Sequence, residues 1–378
     1  MRQIVCLSTS NYYPFPTRKQ NVMNRLAGSE ILYFDPPVTW LAPLKDRSTK
    51  SRLMQYRHGG QQVQDHITVY ALPPVLPFGN KFRGVNRWNQ QRQARYVNRI
   101  LAQHGFAQPI LWCYSPTSAD IIDRIPHSGL IYDCVDRHSA YRGMIDPRVV
   151  DSMEQDLATR ADQVFCTAQG LYDTLIQYNA NTCLIPNGVA YELFSQAAQT
   201  GPRSREKQPV FGFIGMLQDC IAYDYLLAAA RAYPQARFEL IGRVMPGVDV
   251  SILEAEPNIH FMAPLPQTEL PKRMKDFDLC LNLFAPGRLS KDVSPLKFYE
   301  YLATGKPIVS TTEPLQVQDY RDLVYIADSP DRFVALCGQA LVEEDPALRR
   351  RRMEAGKAAS WDNRVRQMET ILMERGLW

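Results

Sequence analysis

The sequence predicts an α/β protein made of two doubly wound, parallel-sheet domains. Short apolar runs alternate with helical patterns along almost all of its 378 residues. Several of these runs are continuously apolar, as strands covered on both faces must be. A polar, turn-rich break, SQAAQTGPRSREKQ at 195–208, has no apolar period, and beyond it the alternation starts again. The length independently exceeds that of one ordinary domain.

In the first half, strands are expected at 4–7, 30–34, 68–72, 110–114, 130–134, 163–167 and 183–186, with helices at 18–27, 83–104, 148–161 and 171–179. In the second half, strands are expected at 210–214, 237–241, 259–262, 279–283, 307–310 and 324–326. Helices fit there at 224–232, 266–276, 295–304, 330–343, 347–357 and 361–375. The implied organisation is a Rossmann-like domain over 1–195, a linker at 196–208 and a second such domain over 209–357. A last helix within 358–378 is expected to pack back toward the first domain. Open sheets of this kind bind ligands beyond the carboxyl ends of their strands, so a cleft between the domains is the expected site.

Composition narrows the function classes. Lys and Arg number 43 against 39 Asp and Glu, a net charge of +4 that gives no support for a nucleic-acid partner. Cys6, Cys113, Cys134, Cys166, Cys183 and Cys280 lie in or beside apolar runs, and no two have CxxC spacing. They read as small buried hydrophobes in a reducing cytoplasm, not as a disulfide framework or a zinc site. The opening MRQIVCLSTS is too short an apolar run for a signal peptide, and no stretch approaches the roughly twenty apolar residues of a membrane span. A cytoplasmic protein is expected, able to dock on the inner face of the plasma membrane. No metal-ligand spacing stands out, and no metal or other cofactor is expected.

The chemistry concentrates in residues 288–307, RLSKDVSPLKFYEYLATGKP. Ser294 before Pro295 reads as a helix start, serine capping orphan N–H groups and proline suiting the first helical position. Leu296, Phe298, Tyr299, Leu302 and Ala303 supply packing faces, Gly305 a left-handed stop, and Pro307 a block to continuation. The resulting helix is short, about 15 Å for ten residues. Its N-terminus follows a strand through a loop carrying Arg288 and Lys291, where free N–H groups and the helix dipole favour an anion. Lys297 in the first turn has the wrong charge for the dipole by about 0.3–1 kcal/mol, a penalty that a bound diphosphate reverses. Glu300, one turn on, is placed to accept bonds from the two hydroxyls of a ribose. A capped surface helix with a solvated lysine and glutamate is the plainer alternative.

This stretch resembles the nucleotide-sugar motif of retaining glycosyltransferases of the GT-B fold, in the family-4-like group (glycosyltransferase group 1). The motif has two acidic residues separated by seven positions, then a small-residue helix end and GKP. Here the pair is Asp292 and Glu300, followed by YLATGKP, and Asp292 stands where glutamate is more usual. The resemblance implies Asp292 near the donor sugar, Ser294, Pro295, Leu296 and Lys297 near the phosphates, and Glu300 on the ribose. It extends to IPNGV at 185–189, whose Asn187 and Gly188 read as a tight turn tolerating positive φ, and to YDCVDRHSAY at 132–141. It also covers the strand and loop at 212–226, where many relatives hold an arginine and a lysine for the donor phosphates. Met216 and Ile221 stand near those places, leaving Arg243, Arg288, Lys291 and Lys297 as the available cations.

The implied activity is transfer of a sugar from a UDP- or GDP-sugar to an acceptor hydroxyl, with retention and without metal. The expected acceptor is a lipid-linked glycan of bacterial cell-envelope or exopolysaccharide synthesis. Asp292, Asp136 and Lys297 are the candidate catalytic groups, and Tyr13, Arg18 and His138 the candidate acceptor contacts, with Tyr12 and Lys19 adjoining. The helix that begins near Lys81 carries Arg83, Arg87, Arg92, Arg95 and Arg99 with Trp88 and Tyr96 interleaved, a face suited to anionic headgroups. The Lys- and Arg-rich loop at 41–62 is expected to be mobile and to extend that surface. Two rival readings remain at this point: a sugar-nucleotide epimerase or hydrolase of the same architecture, and a non-catalytic nucleotide-sugar-binding subunit.

Overall fold

The computed structural model describes residues 1–141, 143–198, 207–285, 287 and 290–378. It divides into two compact units, Met1–Pro186 with Val365–Trp378, and Asn187–Arg364. Both are α/β units built on largely parallel sheets, as the alternation of apolar runs requires.

In unit 1 the strands are β1 (Arg2–Leu7), β2 (Ser29–Asp35), β3 (Gln61–Gln64), β4 (Ile67–Ala71), β5 (Ile110–Cys113), β6 (Gly129–Cys134), β7 (Gln163–Cys166) and β8 (Thr182–Leu184). They lie in the order β3-β4-β2-β1-β5-β6-β7-β8 among the described residues. All neighbours are parallel except β3 and β4. The connecting helices are α1 (Arg18–Met23), α2 (Arg83–His104), α3 (Pro147–Arg160) and α4 (Gln169–Leu175). Ile4, Val5, Cys6, Leu111, Trp112, Cys113 and Phe165 are fully buried, which explains why these strands carry no polar alternation.

Two departures from the sequence reading concern the edge of this sheet. β3 reads QQVQ and carries no apolar signal, because an edge strand pairs through its backbone and leaves its side chains in water. The stretch at 41–62 is not an open loop: it forms short helical turns at Ala42–Lys45, Arg47–Lys50 and Arg52–Gln55. Its Tyr56 packs edge-on against Tyr96 of α2, and the Tyr96 hydroxyl donates to the Tyr56 carbonyl at 2.9 Å.

Unit 2 comprises β9 (Val210–Ile214), α5 (Tyr223–Ala232), β10 (Arg237–Ile241), β11 (Ile259–Met262), α6 (Leu270–Met274), β12 (Leu279–Asn282), α7 (Leu296–Thr304), β13 (Ile308–Thr311), β14 (Tyr325–Ala327), α8 (Pro330–Leu341) and α9 (Pro346–Ala358). The parallel order β11-β10-β9-β12-β13-β14 turns back between β9 and β12, the topological switch where such sheets bind ligands. α6 is shorter than the expected 266–276, because Pro264 and Pro266 break up the approach and the helix starts only at Leu270. Gly212 in β9 admits no side chain, since a Cβ there would come within 2.1 Å of the Phe277 ring. The last helix, α10 (Trp361–Glu374), ends in the segment that groups with unit 1, where the Arg2 guanidinium lies 4.2 Å above the Trp378 ring. The cysteines are all free, and no described helix is long and apolar enough to cross a membrane.

Candidate active site

α7 begins one residue later than the sequence indicates, with Pro295 and not Ser294 at the cap position. Ser294 is occupied elsewhere: its Oγ accepts from the Asn187 N–H at 3.1 Å, and its carbonyl accepts from Asn187 Nδ2 at 2.7 Å. The IPNGV segment therefore braces the loop that enters α7. Neither Asn187 nor Gly188 has the positive φ expected of them. Gly188 is required by proximity instead, since a Cβ would lie 2.8 Å from the Ala359 carbonyl. At the far end Gly305 adopts φ 70° and stops the helix as expected.

Lys297 and Glu300 lie three residues apart, on one face of α7. The Lys297 Nζ sits 4.0 Å from the centre of the Phe213 ring and 4.6 Å from that of Phe284, an aromatic seat for a cation. Burial pulls its pKa down to about 7, against the pull of Cys220 and Glu300. Glu300 is buried, accepts from Gln267 Nε2 at 3.4 Å, and has its pKa pushed up to about 7 by burial, opposed by that bond and by Lys297. A cation and a carboxyl group, each held away from its ordinary charge state by desolvation, make this strand end a candidate ligand site.

The seat of Lys297 is built by two glycines. Gly215, directly after β9, has φ 139°, and a Cβ on it would stand 3.2 Å from the Lys297 Nζ. Gly242, directly after β10, approaches so closely that a Cβ would lie 1.9 Å from the Gly215 carbonyl. These glycines were missed in the sequence, where only their position after apolar runs marks them. The lysine amine thus lies at the carboxyl end of β9, beside the switch point. Cys220 is nearby, its carbonyl accepting from Ala285 N–H at 2.8 Å.

The other candidates on unit 2 are spread around this centre. Asp292 is buried in the turn Ser290–Asp292, Lys291 is exposed, and Pro295 and Leu296 form the entry to α7. Arg243 is exposed, and its carbonyl accepts from Leu217 N–H, tying the loop after β10 to the loop after β9. Arg288 lies outside the described residues. Of the positions where relatives hold cations, Met216 is exposed and Ile221 buried, so Lys297 is the amine brought to the strand end.

In unit 1 a pocket of about 240 Å³ brings together Thr9, Lys19, Asp136, His138 and Tyr141. Asp136 accepts from the Tyr141 hydroxyl at 2.9 Å. His138 is buried with its Nε2 3.1 Å from the Tyr114 carbonyl, and burial lowers its pKa to about 4, so it is neutral at neutral pH. Lys19 is buried too, its pKa lowered by burial and supported by Asp136 and Asp133. Arg18 does not join this pocket. It is buried on Asp133, with Nε 2.9 and 3.0 Å from the two carboxylate oxygens, and Nη1 donates to the Ile185 carbonyl at 2.9 Å. The placement has a simple cause: a guanidinium at the start of α1 meets the carboxylate at the end of β6. Tyr13 is exposed and lines a second, larger pocket of the same unit.

Several known proteins are similar to this chain. Residues 224–370 match a family described as glycosyl transferase-like. TuaH of Bacillus subtilis (strain 168), whose name assigns it as a teichuronic acid biosynthesis glycosyltransferase, is 28% identical over 259 residues. That match covers 63% of this chain and 65% of the relative's length. The sucrose-phosphate synthase of Thermosynechococcus elongatus superposes with a TM-score of 0.71 at 14% identity, over 99% of both chains. HepE of Anabaena, solved with UDP, superposes at 0.65 and 15% identity, over 99% of this chain and 100% of that one. An E. coli structure described as trehalose-6-phosphate bound with UDP-2-fluoro glucose superposes at 0.70 and 12% identity, over 98% and 99% of the two chains. Over residues 224–370 the chain is thus similar to a glycosyl transferase-like family, and as a whole it shares the fold of these solved structures.

Proposed function

We propose that the protein moves a sugar from a nucleotide-sugar to an acceptor hydroxyl, with retention of configuration at the anomeric carbon. The observation that carries this reading is the pairing of Lys297 and Glu300 on α7 at the carboxyl end of β9. Lys297 and the N-terminal N–H groups of α7 meet the diphosphate, and Glu300 accepts from the ribose hydroxyls. The bond from the sugar's anomeric carbon to the diphosphate breaks as the bond to the acceptor oxygen forms. The acceptor's proton passes to the departing diphosphate oxygen on the same face of the sugar. The charge growing on that diphosphate is where preorganised cations and dipoles act most strongly. Asp292 is assigned to the donor sugar, Asp136 and His138 to the acceptor hydroxyl, and Arg243 and Lys291 to the outer diphosphate. UDP in HepE and a UDP-sugar analogue in the E. coli structure support a uridine donor.

Thermal unfolding with UDP and GDP tests the donor site. A nucleotide at a hundred times its dissociation constant adds about 2.7 kcal/mol, raising the midpoint by a few degrees. Glu300→Gln is expected to abolish that shift while leaving the unliganded midpoint close to that of the parent. An unchanged shift in the variant removes the ribose role from Glu300.

The acceptor is assigned as a lipid-linked glycan of envelope-polymer synthesis, in line with the name of TuaH. Support comes from unit 1, where α2 exposes Arg87, Trp88, Arg95 and Arg99, preceded by exposed Phe78, Lys81 and Phe82. Arg83, by contrast, is spent on Asp120 and Asp156. On this reading the protein works in the cytoplasm, peripheral on the inner face of the plasma membrane. It is expected to co-sediment with phosphatidylglycerol vesicles and not with phosphatidylcholine vesicles. Arg95→Glu with Arg99→Glu should remove most of that binding, since each surface cation contributes about 1 kcal/mol. Binding that persists in the double variant assigns the membrane contact to another face.

A further inference from the structure

A second pocket of unit 1, about 430 Å³, opens at the carboxyl ends of β1, β2 and β4. It falls within the roughly 300–1,000 Å³ typical of small-ligand sites. The proposed reaction leaves it unused. Its floor is Asp35, the last residue of β2, only 8% exposed. One oxygen, Oδ1, accepts from the Tyr12 N–H at 2.8 Å, and among the described residues no hydrogen bond reaches Oδ2. Because Asp35 lines the pocket, an oxygen left without a protein donor is placed to accept from a hydroxyl of a bound ligand. Burial raises the pKa of Asp35 to about 6, even with Tyr12 N–H and Arg52 opposing.

The walls supply the rest of a recognisable chemistry. Tyr12 is buried and held by its hydroxyl's bond to Asn24 Oδ1 at 2.8 Å and by the Tyr33 ring. Tyr13 stands edge-on to Tyr12, centroids 5.0 Å apart, and is 57% exposed. Its orientation is set by that contact while its ring remains open. Arg52 is anchored by Nη2 to Asn11 Oδ1 at 2.8 Å, and Gln55 adds a further amide to the lining. An open aromatic ring, an under-satisfied carboxylate and amide donors match the apolar face and polar edge of a pyranose. An anion would have to approach the charge of Asp35.

We propose that this pocket binds a hydroxyl-bearing sugar ring of the acceptor glycan, stacked on Tyr13 and hydrogen-bonded through its hydroxyls to Asp35. Its assignment to the acceptor rests on the transferase reading; its assignment to a sugar does not. The pocket of Asp136 and His138 then receives the reacting end, and this one receives a ring farther along the chain.

Saturation-transfer NMR on the full chain tests it, using methyl α-D-glucopyranoside and methyl β-D-N-acetylglucosaminide as probes, with inorganic pyrophosphate as the anionic control. Asp35→Asn keeps the acceptor for Tyr12 N–H but removes the charge, and Tyr13→Ala alters an exposed ring. Each should weaken binding of a responding glycoside about tenfold, through a lost hydrogen bond to a charged group at Asp35 and a lost stacking face at Tyr13, and leave the UDP-induced midpoint shift unchanged. Glycoside signals absent from the parent protein, or undiminished in both variants, overturn the subsite, and a retained UDP shift then leaves the transferase reading standing. Glycoside binding lost in the variants, with no UDP shift in the parent, upholds the sugar site and defeats the transferase reading. Pyrophosphate displacing the glycosides from this pocket overturns the proposal in favour of an anion site.

Discussion

Replacing Lys297 by methionine is expected to lower kcat by about 10²–10³-fold, the usual cost of removing one preorganised group that meets developing charge. The substitution keeps the length of the side chain, and its thioether still packs on Phe213 and Phe284. Stability should move the other way. An ordinary lysine titrates at 10.5 and this one at about 7. Between those values the unfolded chain holds the proton that the native chain has released. Native stability therefore rises with pH across that window, and the burial penalty is felt in full below it. Each unit of depression corresponds to about 1.4 kcal/mol, so the methionine variant should unfold at a higher temperature than the parent at neutral pH. It should also lose the rise in stability between about pH 7 and 10.5. Steady-state kinetics and a pH series of thermal unfolding check both halves. A variant that loses stability along with activity returns Lys297 to a packing role.

Glu343→Ala is expected to destabilise the protein by about 3–5 kcal/mol, because it strands a buried cation. Arg352 in α9 is fully buried. Its Nη1 and Nη2 each donate to one Glu343 oxygen at 2.6 Å, and its Nε donates to the Leu323 carbonyl at 2.6 Å. The guanidinium thereby clamps α9 to the segments after α8 and before β14. Removing both partners, as Arg352→Met with Glu343→Leu, should recover much of the loss, since no uncompensated charge then remains. Denaturant unfolding of the single and double variants decides it. Equal losses in the two would mean that the Leu323 contact, and not the ion pair, supplies the stability.

The strands that form the site were legible because they are buried on both faces. The runs at 210–214, 237–241 and 259–262 coincide with β9, β10 and β11. α2 at 83–104 likewise matches its apolar period. Edges and turns were less legible. β3 shows nothing in QQVQ because backbone pairing at an edge asks little of side chains. The start of α7 shifted by one residue because Asn187, more than a hundred positions away, takes the serine that a local reading assigns to the cap.

The candidate site divides along the same line. Residue order by itself determined that a lysine and a glutamate share one face of a short helix following a strand, because helical periodicity is local. It likewise determined two α/β units, since the pattern of burial is written in each strand. Only the tertiary structure decided that Lys297 is seated between Phe213 and Phe284 over Gly215. Only it decided that Arg18 is spent on Asp133, and that Asp35 faces a pocket with Tyr13. Those outcomes depend on which strand ends meet across a sheet, and on how much water is excluded where they meet. Desolvation of that kind belongs to the folded assembly and to no single stretch of chain.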